Sequence, residues 1–216
     1  MNMNMEEVVY QNTLEWKLKR IGKVTASRVK DIMPLKSGKY STKRETYLRE
    51  CVVGRFGVIP DDIYVSKEMA HGIETEPLAR AVYEQLRDLK LGEISEIDII
   101  NHPSIPNFSA SPDGLVGSEG MLEIKCPTSQ THLEYILDGV VPDEYVYQMA
   151  TQLACSGRKW VDFFSFDNRI PNDKLHHFLI RYERDESLIK EIEYEVIKFN
   201  SEVYEKINAI AERIGK

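Results

Sequence analysis

The sequence predicts an α/β fold, a mixed central sheet flanked by helices. Three observations carry this expectation. A glycine-punctuated hairpin sits mid-chain at residues 112–125. Apolar, β-rich runs at 160–167 and 176–181 read as further strands. Helical segments stand before, between and after them. Strands embedded among helices in this order build a layered sheet. The 216 residues suffice for one domain with a sizeable core, read as spanning 1–216. A content of 42% hydrophobic and 29% charged residues excludes a disordered polymer.

Taken in order, Leu14 to Ile21 reads as a short helix holding Trp16 and Arg20. Thr25-Ala26-Ser27 looks like a helix start, with Thr25 or Ser27 as N-cap before Val29 and Ile32. Residues 34–41 form a basic, glycine-containing loop, and Thr42 to Gly54 a helix. Glu74 to Leu86 is a strong helix, with Pro77 in its first turn and Leu78, Ala81, Val82 and Leu86 on one side. Glu93 to Ile100 alternates as a strand. In the hairpin, Pro112-Asp113-Gly114 and Gly117-Ser118-Glu119-Gly120 are turns bounding two antiparallel strands, Leu115-Val116 and Met121 to Lys125. Ser129 to Leu137 and Asp143 to Cys155 are helices, the second ended by Gly157. Trp160 to Asp167 and His176 to Arg181 are strands. In the last segment Leu188, Ile192, Val196, Phe199, Val203, Ile207, Ile210 and Ile214 recur in steps of three and four. Asp185 to Ile214 is therefore one amphipathic helix that covers the sheet, or else meets a partner.

Charge is unevenly spread. The net charge is −7, yet Lys17 to Arg49 holds eleven Lys and Arg against Asp31 and Glu45. Glu183 to Glu205 holds eight acids against three bases. The first segment can bind phosphates while the acidic tail faces elsewhere, although any single lysine there can equally be a solvated cation. No apolar run reaches membrane-span length, and the N-terminus lacks the apolar core of a signal peptide. Cys51, Cys126 and Cys155 are scattered and odd in number, as expected for reduced thiols in a cytoplasmic protein. The five histidines have no zinc-ligand spacing and are read as structural.

The hairpin also carries chemistry. Strand side chains alternate, so Glu123 and Lys125 share one face and Ile124 points the other way, into the core. Asp113 reaches the Glu123 face from the beginning of the first strand. Carboxylates are hard oxygen ligands that suit Mg²⁺ or Mn²⁺, and the Ile124 carbonyl adds a further oxygen. Two carboxylates with a lysine beside them can hold Mg²⁺ and hydrolyse a phosphodiester, Lys125 orienting or deprotonating the attacking water. Alone, a Glu-x-Lys is common on solvated strands and Ser-Pro-Asp-Gly is an ordinary turn. Their pairing at hairpin spacing is what carries the signal.

With these residues in view, the chain resembles the phage lambda exonuclease family, YqaJ-like viral recombinases and alkaline exonucleases, over nearly its whole length. The ordered motifs are Trp16…Lys19-Arg20-Ile21-Gly22…Val24-Thr25-Ala26-Ser27, His71-Gly72…Glu76-Pro77, Ser111-Pro112-Asp113-Gly114-Leu115, Leu122-Glu123-Ile124-Lys125-Cys126-Pro127 and Tyr147-Gln148…Gln152. The resemblance implies the restriction-endonuclease-like, PD-(D/E)XK, nuclease fold. It implies metal binding by Asp113, Glu123 and the Ile124 carbonyl, with Lys125 catalytic. It implies that Glu76 orders metals and water indirectly, and that Gln148 lies near the nucleophile. Glu74, two residues earlier, is expected to turn away; Gln152, one turn from Gln148, ranks second. Arg20, Thr25, Ser27 and Ser111 are implied to form a 5′-phosphate pocket, and Met69 and Lys36-Ser37 to lie where a strand-parting wedge would be. From the residues alone, Glu76 can be a helix cap, Gln148 a solvated residue and Arg20 a surface cation.

The implied activity is a processive 5′→3′ exonuclease on linear double-stranded DNA, with two Mg²⁺ ions for which Mn²⁺ can substitute. It would release 5′-phosphorylated mononucleotides and leave a 3′ strand. A toroidal homotrimer around the DNA and a single-strand annealing partner are implied too, in a phage- or prophage-encoded protein of the bacterial cytoplasm. A lysine base needs its pKa lowered by the metals, so an alkaline optimum is expected. A site-specific endonuclease would share the acidic core but cut closed circles. An iron–sulfur nuclease would need four clustered cysteines, and a non-catalytic DNA-binding module would not need the acids.

Overall fold

The computed structural model describes residues 13–59, 67–89 and 93–215. Its centre is a four-stranded mixed sheet in the order β4-β5-β6-β7: Gly114–Val116, Gly120–Lys125, Trp160–Phe166 and His177–Glu183. The β4–β5 hairpin is antiparallel with Leu115 opposite Met121, as the turn residues predict. β5 and β6 run parallel, with Glu123 opposite Phe163. Between them lie α5 (Ser129–Asp138) and α6 (Asp143–Ser156), the crossover that a parallel pair requires.

The single sheet expected from the sequence is instead two. A three-stranded sheet in the order β1-β3-β2 is built from Val24–Thr25, Phe108–Ala110 and Ile100–Asn101. The strand expected over residues 93–100 shrinks to β2 and one bridge, Ser95 to Leu115. Thr25-Ala26-Ser27 does not cap an α-helix. After α1 (Leu14–Arg20), Thr25 ends β1, a three-residue 3₁₀ turn Ala26–Arg28 follows, and α2 is only Val29–Ile32, with no side-chain cap on either of the last two pieces.

Both faces of β5 and β6 are buried, and alternation splits the core in two. Met121, Val161 and Phe163 face a large cluster with α2, α3 (Thr42–Arg55), α6 and α7 (Glu186–Arg213). Leu122, Ile124, Phe164 and Phe166 face a smaller one with Ala79 and Tyr83 of α4 (Lys67–Leu86). Ile124 thus points into the core as expected. Beneath this second layer Asp162 receives Tyr83 Oη at 2.7 Å and a bidentate Arg181 at 2.7 and 3.0 Å, tying α4 to β6 and β7.

α4 departs from expectation. It begins at least as early as Lys67, so Pro77 lies well inside it. A proline there gives up its hydrogen bond to the Ile73 carbonyl, and Ile73 is exposed, so water can replace the donor. The buried face is Thr75, Ala79 and Tyr83, spaced by four, whereas Leu78 and Leu86 face solvent. Met69 belongs to the helix backbone, but its side chain lies outside the described residues.

α7 begins at Asp185, whose carboxylate accepts from the Ser187 and Leu188 amides at 2.9 and 3.2 Å. Ile192, Val196, Phe199 and Val203 are fully buried, while Ile210 and Ile214 are exposed. The helix packs chiefly on α2, α3 and α6 rather than on the sheet. It also brings its acids to the basic segment instead of facing away. Glu202 takes Arg44 at 2.6 and 2.9 Å, and Glu195 accepts from Tyr40 Oη at 2.9 Å.

Candidate active site

The site forms where β4 diverges from β5. The Asp113 amide donates to the Leu122 carbonyl at 3.0 Å, and its carboxylate Oδ2 accepts from the Ile124 amide at 2.6 Å. Asp113 thus continues the ladder with its side chain, at the point where backbone pairing with β4 stops. A strand residue sends its N–H and C=O to the same edge, so the Ile124 carbonyl faces the Asp113 side. Gly114 follows because nothing larger fits: a Cβ there would lie 2.2 Å from Ile94 Cγ2 and 3.0 Å from an Arg80 nitrogen.

Glu123 is the centre of the cluster and is 1% exposed. Its Oε1 accepts from Lys125 Nζ and from Gln148 Nε2, each at 2.5 Å. Its Oε2 accepts from Gln152 Nε2 at 2.5 Å. Gln148 and Gln152 are one turn apart on α6 and meet the carboxylate together. Gln148 is therefore not a solvated residue, and Gln152, ranked second, is the more deeply buried of the two. The Lys125 ammonium lies 5.1 Å from the centre of the Tyr145 ring.

Glu76 is half-buried and Glu74 exposed, as expected for neighbours on opposite sides of a helix. Glu76 lies too far from the start of α4 to be its cap. Arg80, unremarked in the sequence, links this helix to the carboxylates. Its Nη2 donates to the Asp113 carbonyl at 2.6 Å and lies 3.5 Å from Glu76 Oε1. The signal for it was available, since Arg80 follows Glu76 by one helical turn.

The second group of residues gathers around Arg20. One guanidinium nitrogen donates to Ser27 Oγ at 3.1 Å and another to Ser111 Oγ at 3.4 Å, while the group stacks 4.2 Å from the Trp16 ring. Thr25 is set apart: its amide donates to Tyr47 Oη at 3.0 Å, and its hydroxyl lies 3.5 Å from the same oxygen. Three of the four expected pocket residues are therefore in contact, and Thr25 supports the turn beneath them. Burial lowers the Arg20 pKa. Ser111, which accepts from Arg20, stands two residues before Asp113, so the two groups of residues adjoin.

The electrostatics explain what the carboxylates lack. Burial and the Glu123 charge push the Asp113 pKa well up, against the pull of Lys125. Burial raises Glu76 too, with Arg80 and Lys125 opposing. For Lys125, burial favours the neutral amine, but Glu123 and Asp113 outweigh it and hold the pKa above its ordinary value. The oxygens of Asp113, Glu123 and the Ile124 carbonyl are hard donors that could hold a divalent cation such as Mg²⁺. Among the described residues no three His, Cys, Asp or Glu side chains form a metal cage alone.

Elsewhere, buried His132 bridges Ser165 Oγ at 2.7 Å and the Leu175 carbonyl at 2.8 Å, a structural role. Cys51 and Cys155 are buried and Cys126 half-buried, all three as free thiols. Among the described residues no helix is long and apolar enough to cross a membrane.

Residues 15–159 match the family model of the YqaJ-like viral recombinase domain. The chain is also similar to the crystal structure of an alkaline exonuclease, LHK-Exo, from Laribacter hongkongensis. Identity is 42%, over 94% of this chain and 98% of that one, with a TM-score of 0.84. LHK-Exo in complex with dAMP matches at 43% identity over the same shares, with a TM-score of 0.86. A phage related exonuclease from Haemophilus somnus 129PT shares the fold, with a TM-score of 0.65 at 17% identity over 87% of this chain and 96% of that one. No curated protein matches the chain.

Proposed function

The chain belongs to the YqaJ-like viral recombinase family, and from that premise we propose that it is a Mg²⁺-dependent, processive 5′→3′ exonuclease on linear double-stranded DNA. It releases 5′-mononucleotides and leaves 3′ single strands for recombination by annealing. The fold is then the PD-(D/E)XK nuclease fold, in one exonuclease domain over 1–216. The observation that carries this reading is the meeting of Asp113, Glu123, Lys125 and Gln148 beside the Arg20–Ser27–Ser111 cluster. Similarity to a protein described as an alkaline exonuclease, one form of it complexed with dAMP, supports the substrate class.

Asp113, Glu123 and the Ile124 carbonyl would hold Mg²⁺, two ions with Mn²⁺ as a substitute. Bound there, the metal supplies Lewis-acid polarisation of the phosphodiester and a more acidic water. The remaining work belongs to the chain. Lys125 Nζ and Gln148 Nε2, both now on Glu123 Oε1, are placed to turn toward the attacking water and orient it. A lysine that takes the water's proton must first be neutral, and its ordinary pKa lies well above neutral pH even where a nearby cation lowers it. The rate therefore rises with pH on the alkaline side. Glu76, steadied by Arg80, adds an acceptor for ordered water. Exposed Lys36, Lys39 and Lys43 form no ion pair among the described residues and are suited to duplex phosphates.

Polarity comes from the Arg20 cluster. A terminal phosphate carries more charge than an internal diester, and a guanidinium with two hydroxyls can hold it with charge-assisted hydrogen bonds. Its neighbour is the metal site, as removal of one nucleotide at a time demands. The test is digestion of paired linear duplexes that differ only in a 5′-phosphate or 5′-hydroxyl. Wild type should prefer the phosphate; Arg20→Ala should lose most of that preference and much of its processivity, with a smaller loss for Ser27→Ala. Equal discrimination by Arg20→Ala and wild type would place the terminal-phosphate pocket elsewhere.

A further inference from the structure

The Glu123 carboxylate is held from two unlike sides. Oε1 meets Lys125, which is 26% exposed, and half-buried Gln148. Oε2 meets Gln152, which is 0% exposed. The carbonyl oxygen of the Gln152 amide is buried with no hydrogen-bond partner among the described residues. A buried acceptor without a donor is destabilising, and a leucine or methionine would fill the same space without it. Its location opposite a buried carboxylate, one turn from a glutamine already in the cluster, gives the amide a purpose other than packing.

We propose that Gln152 is a positioning residue that locks the Glu123 carboxylate by its inner oxygen, so that Oε1 is the oxygen presented to the cation. Lys125 and Gln148 share Oε1 in the absence of metal and are the groups released when Oε1 is taken. Gln152 keeps Oε2 in both states. The two glutamines then differ in kind: Gln148 exchanges between Glu123 and the reaction, whereas Gln152 never leaves. This division rests on the metal-dependent nuclease reading above and adds to it which glutamine sets cation affinity. Groups that hydrogen-bond a ligating carboxylate typically change metal affinity by about 10–100-fold when removed.

The test compares Gln152→Leu, Gln152→Asn and Gln148→Leu with wild type. Two quantities are read: the Mg²⁺ concentration that half-saturates digestion of a linear duplex, and the concentration of Ca²⁺ or Mg²⁺ that half-saturates the rise in melting temperature without DNA. For Gln152→Leu both midpoints should rise about tenfold or more, with much of the wild-type rate regained at saturating Mg²⁺. For Gln148→Leu the melting midpoint should stay within about threefold of wild type while kcat at saturating Mg²⁺ falls. Gln152→Asn, shorter by one methylene, keeps the amide if the leucine variant does not fold, and should also raise both midpoints. Wild-type midpoints in either folded Gln152 variant would overturn the proposal. An Asp113→Ala control separates the two levels. If it keeps the cation-dependent melting shift, the metal site itself is misplaced. If it loses the shift while the Gln152 variants keep it unchanged, only the role of Gln152 fails.

Discussion

At the scale of single residues, the cluster assigns different failures to different side chains. Lys125→Ala should keep Ca²⁺-dependent binding of a duplex end, measured by fluorescence anisotropy, yet lose turnover by at least about 10²-fold, the size of a positioned proton-transfer group. Glu123→Ala should lose turnover and the cation-dependent melting shift together. Normal turnover in either variant would remove the assignment. The shared face of Glu123 and Lys125, and the approach of Asp113 to it, were legible because a strand's two-residue repeat and a turn fix directions locally; Gln148 came from the family motif alone. The link from Arg80 to the Asp113 carbonyl was not, since it joins residues 33 apart in sequence through an arginine that resembles an ordinary surface cation. The depth of Gln152 was hidden similarly: 3.6-residue periodicity puts it on the Gln148 face but does not say which is nearer the core. Thr25 was placed in the phosphate pocket by motif alone, and Tyr47, from another helix, took it instead.

At the scale of elements, the long repeats were readable and the short pieces were not. α7 shows an apolar stripe along its length, and truncating its centre should cost much: Phe199→Ala, with the ring fully buried, about 3–5 kcal/mol in chemical denaturation. α4 misled because its exposed Leu78 and Leu86 outweigh, in hydrophobicity, the Thr75-Ala79-Tyr83 face that is buried. β1, β2 and the bridge at Ser95 are too short for alternation to appear; they exist only through long-range pairing. The joint after β6 yields a further prediction. Buried Asp167 accepts from Arg169 Nε at 2.7 Å, Arg169 N at 3.0 Å and Ser129 Oγ at 2.5 Å, while Arg169 also reaches the Pro127 carbonyl at 2.6 Å. This pins the end of β6 to the segment leaving β5. Burial opposes ionisation of Asp167, but the hydrogen bonds from Arg169 and Ser129 outweigh it and bring the pKa to about 2. A folded value below the unfolded one, near 4, contributes stability that is complete above pH ~4 and fades as pH falls through about 2. With screening of the half-exposed arginine allowed for, that amounts to about 1–2 kcal/mol. Asp167→Asn should therefore be less stable than wild type by about this amount at pH 7, and denaturation curves should show the gap closing toward pH 2. A gap that does not change with pH would contradict it.

At the scale of the whole molecule, the basic first third and the acidic last helix meet, and Arg44 of the one is neutralised by Glu202 of the other. Phosphate binding then falls to the cations left over, on the 34–43 stretch and around Arg20. A closed homotrimer around DNA would keep the strand from escaping between steps, and ring closure suits repeated head-to-tail contacts. Light scattering should give about three times the 25.0 kDa chain mass; a processive monomer would contradict the ring. Hydrolysis from a DNA end by the Asp113–Glu123–Lys125 cluster can be decided by one comparison. Wild type and Asp113→Ala are each incubated with Mg²⁺ and the same duplex, either linear or covalently closed, and released mononucleotides are measured over time. Wild type should degrade the linear form to mononucleotides and single strands and leave the closed circle intact, and Asp113→Ala should leave both forms intact. Cleavage of the closed circle by wild type, or wild-type degradation of the linear form by Asp113→Ala, would contradict it.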